Sequence, residues 1–100
     1  NPEVTNFSNM FRNCTSLTAI SVGVFDNNVK VTSFSNVFNG CTLLEGESPY
    51  TIVDGIKVHL YERDLYPELY TMPKTVTGCF KDCVKLTDYT NISENFPLWI

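Results

Sequence analysis

Three copies of one short pattern run through this chain and constrain it more than any other feature. The first is Phe7-Ser8-Asn9-Met10-Phe11-Arg12-Asn13-Cys14-Thr15-Ser16-Leu17. The second is Phe34-Ser35-Asn36-Val37-Phe38-Asn39-Gly40-Cys41-Thr42-Leu43-Leu44, and the third is Val76-Thr77-Gly78-Cys79-Phe80-Lys81-Asp82-Cys83-Val84-Lys85-Leu86. All three reduce to Φ-x-x-Φ-Φ-x-x-Cys-x-x-Leu, where Φ is apolar. They are offset by 27 and then by 42 positions. Self-similarity at this period marks a stacked repeat protein, in which each unit seals its neighbour's open face.

Within a copy, Phe7, Met10, Phe11 and Cys14 stand at i, i+3, i+4 and i+7. That spacing predicts the apolar stripe of a short helix. Phe34, Val37, Phe38 and Cys41 repeat it, as do Val76, Cys79, Phe80 and Cys83. Thr5, Thr32 and Thr75 stand where N-caps would. Asn13, Gly40 and Asp82 precede the repeat cysteine, and these residue types tolerate the left-handed backbone of a helix exit. Leu17-Thr18-Ala19-Ile20, Leu44 and Leu86-Thr87-Asp88-Tyr89 read as short strands with Leu inward. Helix plus strand at this period predicts an α/β solenoid with a curved parallel sheet.

The extra residues between the second and third copies read as an insertion. Tyr50 to Tyr61 alternates around Asp54-Gly55, which predicts a β-hairpin with a two-residue type I′ turn. Val53 should then pair with Ile56, Thr51 with Val58, and Tyr50 with His59. Glu62 to Thr75 contains Pro67 and Pro73 and reads as an irregular return.

Composition narrows the function. With 43% apolar and 18% charged residues the chain reads as folded, and its 100 residues make one small domain. The net charge of −4, with seven scattered Lys and Arg, argues against nucleic acid. No apolar run approaches the roughly 18 residues that span a bilayer. The chain opens at Asn1-Pro2, almost directly on a copy, and so reads as part of something longer.

Candidate chemistry is sparse. Cys14, Cys41, Cys79 and Cys83 all occupy apolar positions of the pattern and read as buried free thiols. They lack the paired spacings of a zinc site. His59 is the single histidine, and no second marker of a catalytic pair accompanies it. Glu45, Glu47, Glu62, Asp64 and Glu68 gather near the insertion, but without a defined spacing they read as solvated surface. No cofactor or metal is expected. Tyr50, Tyr61, Tyr66 and Tyr70 fall within the insertion and its return. Exposed rings of this kind suit ligand contact. The competing reading is that they form the insertion's own small core. Phe96 and Trp99 read as a cover for the last copy. The sequons at Asn6, Asn13 and Asn91 read as chance.

The pattern Phe-x-x-Met/Val-Phe-x-x-Cys-Thr-x-Leu, as it stands in Val4–Ile20 and Val31–Leu44, resembles BspA-like bacterial leucine-rich repeats. These are also called the Treponema pallidum class, and the resemblance is closest to surface proteins of gut Bacteroides. Ser48 to Arg63 resembles an inserted segment of such proteins, and Cys79–Trp99 a closing repeat. The resemblance implies a short leucine-rich-repeat solenoid with units near 4–30, 31–47 and 73–100, and a hairpin insertion near 48–72. It implies an exported, surface-anchored protein, often a lipoprotein, with an adhesive or ligand-binding role. Without a catalytic constellation the chain reads as non-enzymatic, its expected partner a host or bacterial surface protein or a glycan. Its ligand would meet either the curved repeat face or the tyrosines of the insertion. The alternative is a spacer or capping module with no ligand of its own.

Overall fold

The computed structural model describes residues 3–21 and 23–100. Asn1-Pro2, the basis for reading a longer parent, lie outside the described residues, as does Val22.

The helix–strand solenoid does not form. Residues 7–14, 34–41 and 76–83 contain no helix, and the segments after the repeat cysteines contain no strand. Among the described residues the one sheet is a two-stranded antiparallel hairpin, and parallel pairing is reduced to the isolated bridges Asn6↔Ser33, Ser33↔Thr75 and Gly46↔Leu86. The molecule measures 33 × 25 × 23 Å, closer to a ball than to an elongated coil.

The backbone shows why. Each copy is two successive four-residue turns. In the first, Met10 N–H donates to the Phe7 carbonyl at 3.2 Å and Cys14 N–H to the Phe11 carbonyl at 3.1 Å. The third residue of every turn has positive φ: Asn9 (65°) and Asn13 (59°), Asn36 (58°) and Gly40 (83°), Gly78 (73°) and Asp82 (66°). A left-handed residue at that turn position calls for Gly or Asn. Recurring every four residues, it stops an α-helix, which needs an unbroken right-handed run. Two four-residue turns place apolar side chains at i, i+3, i+4 and i+7, the same spacing a helix would. Thr5, Thr32 and Thr75 therefore cap nothing. Instead the Thr5 carbonyl accepts from Thr32 N–H at 2.8 Å, and the Thr32 carbonyl from Lys74 N–H at 2.7 Å.

The copies lie side by side. The N–H groups of Phe7, Asn9, Phe11 and Asn13 donate to the carbonyls of Ser33, Ser35, Val37 and Asn39 at 2.7–2.9 Å. Phe34, Asn36, Phe38 and Gly40 donate in turn to Thr75, Thr77, Cys79 and Lys81 at 2.8–3.1 Å. Equivalent side chains then stack in columns. Phe11 lies on Phe38 at 5.4 Å, and Phe38 on Phe80 at 5.6 Å, all nearly parallel. The Cys41 thiol donates to the Phe11 carbonyl and the Cys83 thiol to the Phe38 carbonyl, each at 3.0 Å. All four cysteines are free; Cys41, Cys79 and Cys83 are buried, and Cys14 is half-buried.

The hairpin forms in the expected register, β1 (Tyr50–Val53) pairing with β2 (Ile56–His59) from Tyr50↔His59 to Val53↔Ile56. Positive φ at both Asp54 (50°) and Gly55 (80°) makes the turn type I′. A 3-10 helix, Leu60–Leu65, follows directly. The segment expected as a last strand instead leads into α1 (Tyr89–Asn95), which ends at Phe96 ahead of Pro97. Trp99 covers the third copy as the sequence suggested. It is buried, lies on Phe80 at 6.2 Å and on Phe34 at 5.6 Å, and its carbonyl accepts from Phe80 N–H at 2.8 Å.

Candidate functional site

The insertion is fastened to the stacked copies at two places. The first fastening centres on Arg63, which the 3-10 helix directs inward. Its side chain is buried, donating to the Asn28 carbonyl at 2.6 Å and the Phe25 carbonyl at 3.1 Å. Its guanidinium lies over the Tyr70 ring at 4.5 Å and the Phe34 ring at 5.3 Å. Burial lowers it to about 10, with Tyr70 and Asp26 pulling the other way, so it keeps its charge at neutral pH. An arginine fork can satisfy two carbonyls while its flat face meets a ring.

The second fastening is built around His59 at the end of β2. Its Nδ1 lies 2.6 Å from Glu62 Oε1 and its Nε2 2.6 Å from Glu47 Oε2. Glu62 also accepts the His59 backbone N–H at 3.0 Å, the return arm of a capping arrangement. Glu47 takes Lys57 Nζ at 3.0 Å. Burial raises the Glu47 carboxyl, but the hydrogen bonds from Lys57 and His59 outweigh it and hold the group below its usual value. Glu47 likewise holds the Lys57 ammonium above its ordinary value. Asp88, just before α1, accepts from the Ser48 hydroxyl at 2.5 Å and from the Tyr61 hydroxyl at 3.2 Å. Burial, helped by Asp88, pushes the Tyr61 phenol up.

This cluster contains a serine, a histidine and an aspartate, but in the wrong order for nucleophilic catalysis. A nucleophile–base pair needs the hydroxyl bonded to imidazole. Here the hydroxyl of fully buried Ser48 is bonded to Asp88. Among the described residues no group of three or more His, Cys, Asp or Glu side chains is arranged to hold a metal ion. No helix among them is long and apolar enough to cross a membrane.

The four tyrosines singled out from the sequence separate into two kinds. Tyr61 and Tyr70 are buried, at 2% and 5% exposure. Tyr61 packs between His59 at 5.1 Å and Phe96 at 4.7 Å, and Tyr70 roofs Arg63. Tyr50 and Tyr66 are half-buried. Tyr50 meets His59 at 5.4 Å and carries Lys57 over its ring. Around Tyr66 the chain turns tightly: Tyr66 N–H donates to Arg63, and the Tyr66 carbonyl accepts from Leu69 and Tyr70.

The sequence reading overlooked the apolar neighbours of Tyr66. Leu65 is 59% exposed, Leu69 40% and Met72 47%. Beside them an open groove of about 260 Å³ runs between Pro67–Thr71 and Val29–Lys30. Thr71 N–H ties its walls, donating to the Val29 carbonyl at 2.9 Å. Pro67 was the available signal: it stands just past the C-cap Tyr66 of the 3-10 helix, where no helix can continue through it. The pairing of Glu47 and Glu62 with His59 was also missed. Glu62 stands three residues after His59, the spacing of a helix-start cap. Glu45, Asp64 and Glu68 remain exposed, as the sequence suggested. The chain matches no protein-family model, no curated protein and no solved structure.

Proposed function

We propose that this chain is a non-enzymatic binding module of an exported bacterial surface protein, and that its insertion carries the ligand site. The observation behind this reading is the run of exposed apolar residues Leu65, Leu69 and Met72 flanking half-buried Tyr66 in one segment, with Leu69 in the wall of the 260 Å³ groove. Exposed apolar side chains gathered on one short segment suit an interaction site. They are mounted on a turn held by the buried Arg63, so little ordering entropy is lost on binding. The apolar content favours a protein ligand over a glycan.

The test is a binding screen against extracellular-matrix protein and glycan arrays. A hit weakened at least tenfold by Tyr66→Ala or Leu65→Asp, with unchanged circular dichroism, supports the insertion as the site. Unchanged affinity in both variants removes it. Tyr61 and Tyr70 are unsuited to this test because both are core residues.

A spacer or capping unit is a second reading, favoured by the first copy. Phe7, Phe11 and Cys14 are half-buried there, whereas their equivalents Phe34, Phe38 and Cys41 are fully buried. Binding seen only with a longer chain that contains this segment would favour that reading.

A further inference from the structure

We infer that the outer edge of the first copy is a docking site for another polypeptide segment carrying the same eleven-residue pattern. Two observations meet at this edge. One is apolar: Met10 is 45% exposed, while its equivalents Val37 and Cys79 are fully buried. Phe7, Phe11, Cys14 and Leu17 are half-buried along the same stripe.

The other is directional. In this stack one copy donates with alternate N–H groups and the next receives them on the carbonyls of the preceding positions. Ser33, Ser35, Val37 and Asn39 receive the first copy, and Thr75, Thr77, Cys79 and Lys81 receive the second. The equivalent carbonyls of the first copy belong to Asn6, Ser8, Met10 and Arg12. No donor among the described residues reaches them.

The edge is therefore a row of acceptors beside an aromatic stripe, and this polarity selects the occupant. A first copy from a second molecule would bring acceptors to acceptors, so face-to-face pairing is unfavourable. At the opposite end the third copy's Gly78 and Phe80 N–H groups are already taken by the Ile100 and Trp99 carbonyls. There Trp99 N–H is committed to Phe96 and Ile100 N–H to Pro97. What fits is a chain in successive four-residue turns, with free N–H groups at alternate residues. Its aromatic ring would continue the Phe11–Phe38–Phe80 column. This is the interface already made twice within the molecule, extended by one unit.

The experiment titrates the isotopically labelled chain with a synthetic peptide of the sequence from Val31 to Leu44. The expected result is saturable shift changes confined to residues 6–17. Methylating the peptide nitrogens at the positions of Phe34, Asn36, Phe38 and Gly40 should weaken binding at least tenfold. Met10→Glu in the chain, at an exposed position the fold tolerates, should do the same. The inference is overturned by no saturable binding up to the peptide's solubility, by equal binding of the methylated peptide, or by shifts centred elsewhere. Concentration-dependent dimerisation of the chain alone through residues 6–17 would also overturn it, because a second copy would then be the occupant.

Discussion

Phe38 lies flat on Phe80, with ring centroids 5.6 Å apart and planes 10° apart. The two hold the same position in successive copies, and Phe11 continues the stack on the other side of Phe38. Phe38 thus has a ring on each face and is fully buried, whereas Phe11 has a ring on one face only. Truncating a buried phenylalanine costs about 3–5 kcal/mol. Phe38→Ala should fall in that range and Phe11→Ala well below it. Urea denaturation of the two variants checks the order, and equal losses would mean that the column is not the centre of the core.

The glycines of the turns separate two costs. Gly78 and Gly55 both have positive φ, 73° and 80°. An added methyl at Gly55 meets open space, so Gly55→Ala carries only the left-handed penalty of about 1–2 kcal/mol. At Gly78 the methyl would collide with the Asn36 amide oxygen, which already accepts from Asn39 at 2.9 Å. Gly78→Ala should therefore destabilise clearly more than Gly55→Ala. Thermal unfolding of both proteins provides the comparison.

Some of this architecture could be read from the residues, and one ambiguity misled the rest. The hairpin was legible because Asp54-Gly55 is sterically specific for a type I′ turn and the flanking residues alternate. The stacking of Trp99 was legible because an end unit needs a cover. The copies were misread as helices because the spacing of Phe7, Met10, Phe11 and Cys14 satisfies both a 3.6-residue helix and a pair of four-residue turns. What separates them is Asn9, Asn36 and Gly78, which recur four residues before Asn13, Gly40 and Asp82. One left-handed-tolerant residue per copy can end a helix, but two exclude it. The inward turn of Arg63 could not be read, because its partners are backbone carbonyls of Phe25 and Asn28 and carry no side-chain signature.

Arg63 gives a third prediction. Replacing it with Met keeps most of the volume but leaves the Phe25 and Asn28 carbonyls without the guanidinium. Hydrogen bonds from a charged donor are worth about 1.5–3 kcal/mol each, so losing the two should make Arg63→Met cost about 3–6 kcal/mol. Arg63→Lys should not restore it, since a single ammonium cannot reproduce the fork over two carbonyls and the Tyr70 face. Chemical denaturation reads the loss. Hydrogen exchange should show the amide of Thr71, bonded to Val29, opening first.

The thiol column predicts the alkaline limit of the fold. Burial pushes the Cys83 thiol up to about 12 from 9.0, and raises Cys79 and Cys41 as well. In the unfolded chain these thiols ionise near pH 9, whereas in the folded chain they stay neutral. Above pH 9 the native state thus binds more protons than the unfolded state, and stability falls as pH rises. The contribution is fully present below pH 9 and disappears as pH climbs toward the folded values. Arg63 acts in the opposite sense, its folded value being lowered to about 10, but its contribution begins only above that pH. Between pH 9 and 10 the thiols should therefore govern the slope, at up to about 1.4 kcal/mol per pH unit for each thiol. Urea midpoints measured from pH 7 to 10 should stay level and then drop. Cys83→Ala should lower the midpoint at pH 7 and flatten the drop above pH 9. An unchanged slope in that variant would mean that the Cys83 thiol does not hold its proton in the folded chain.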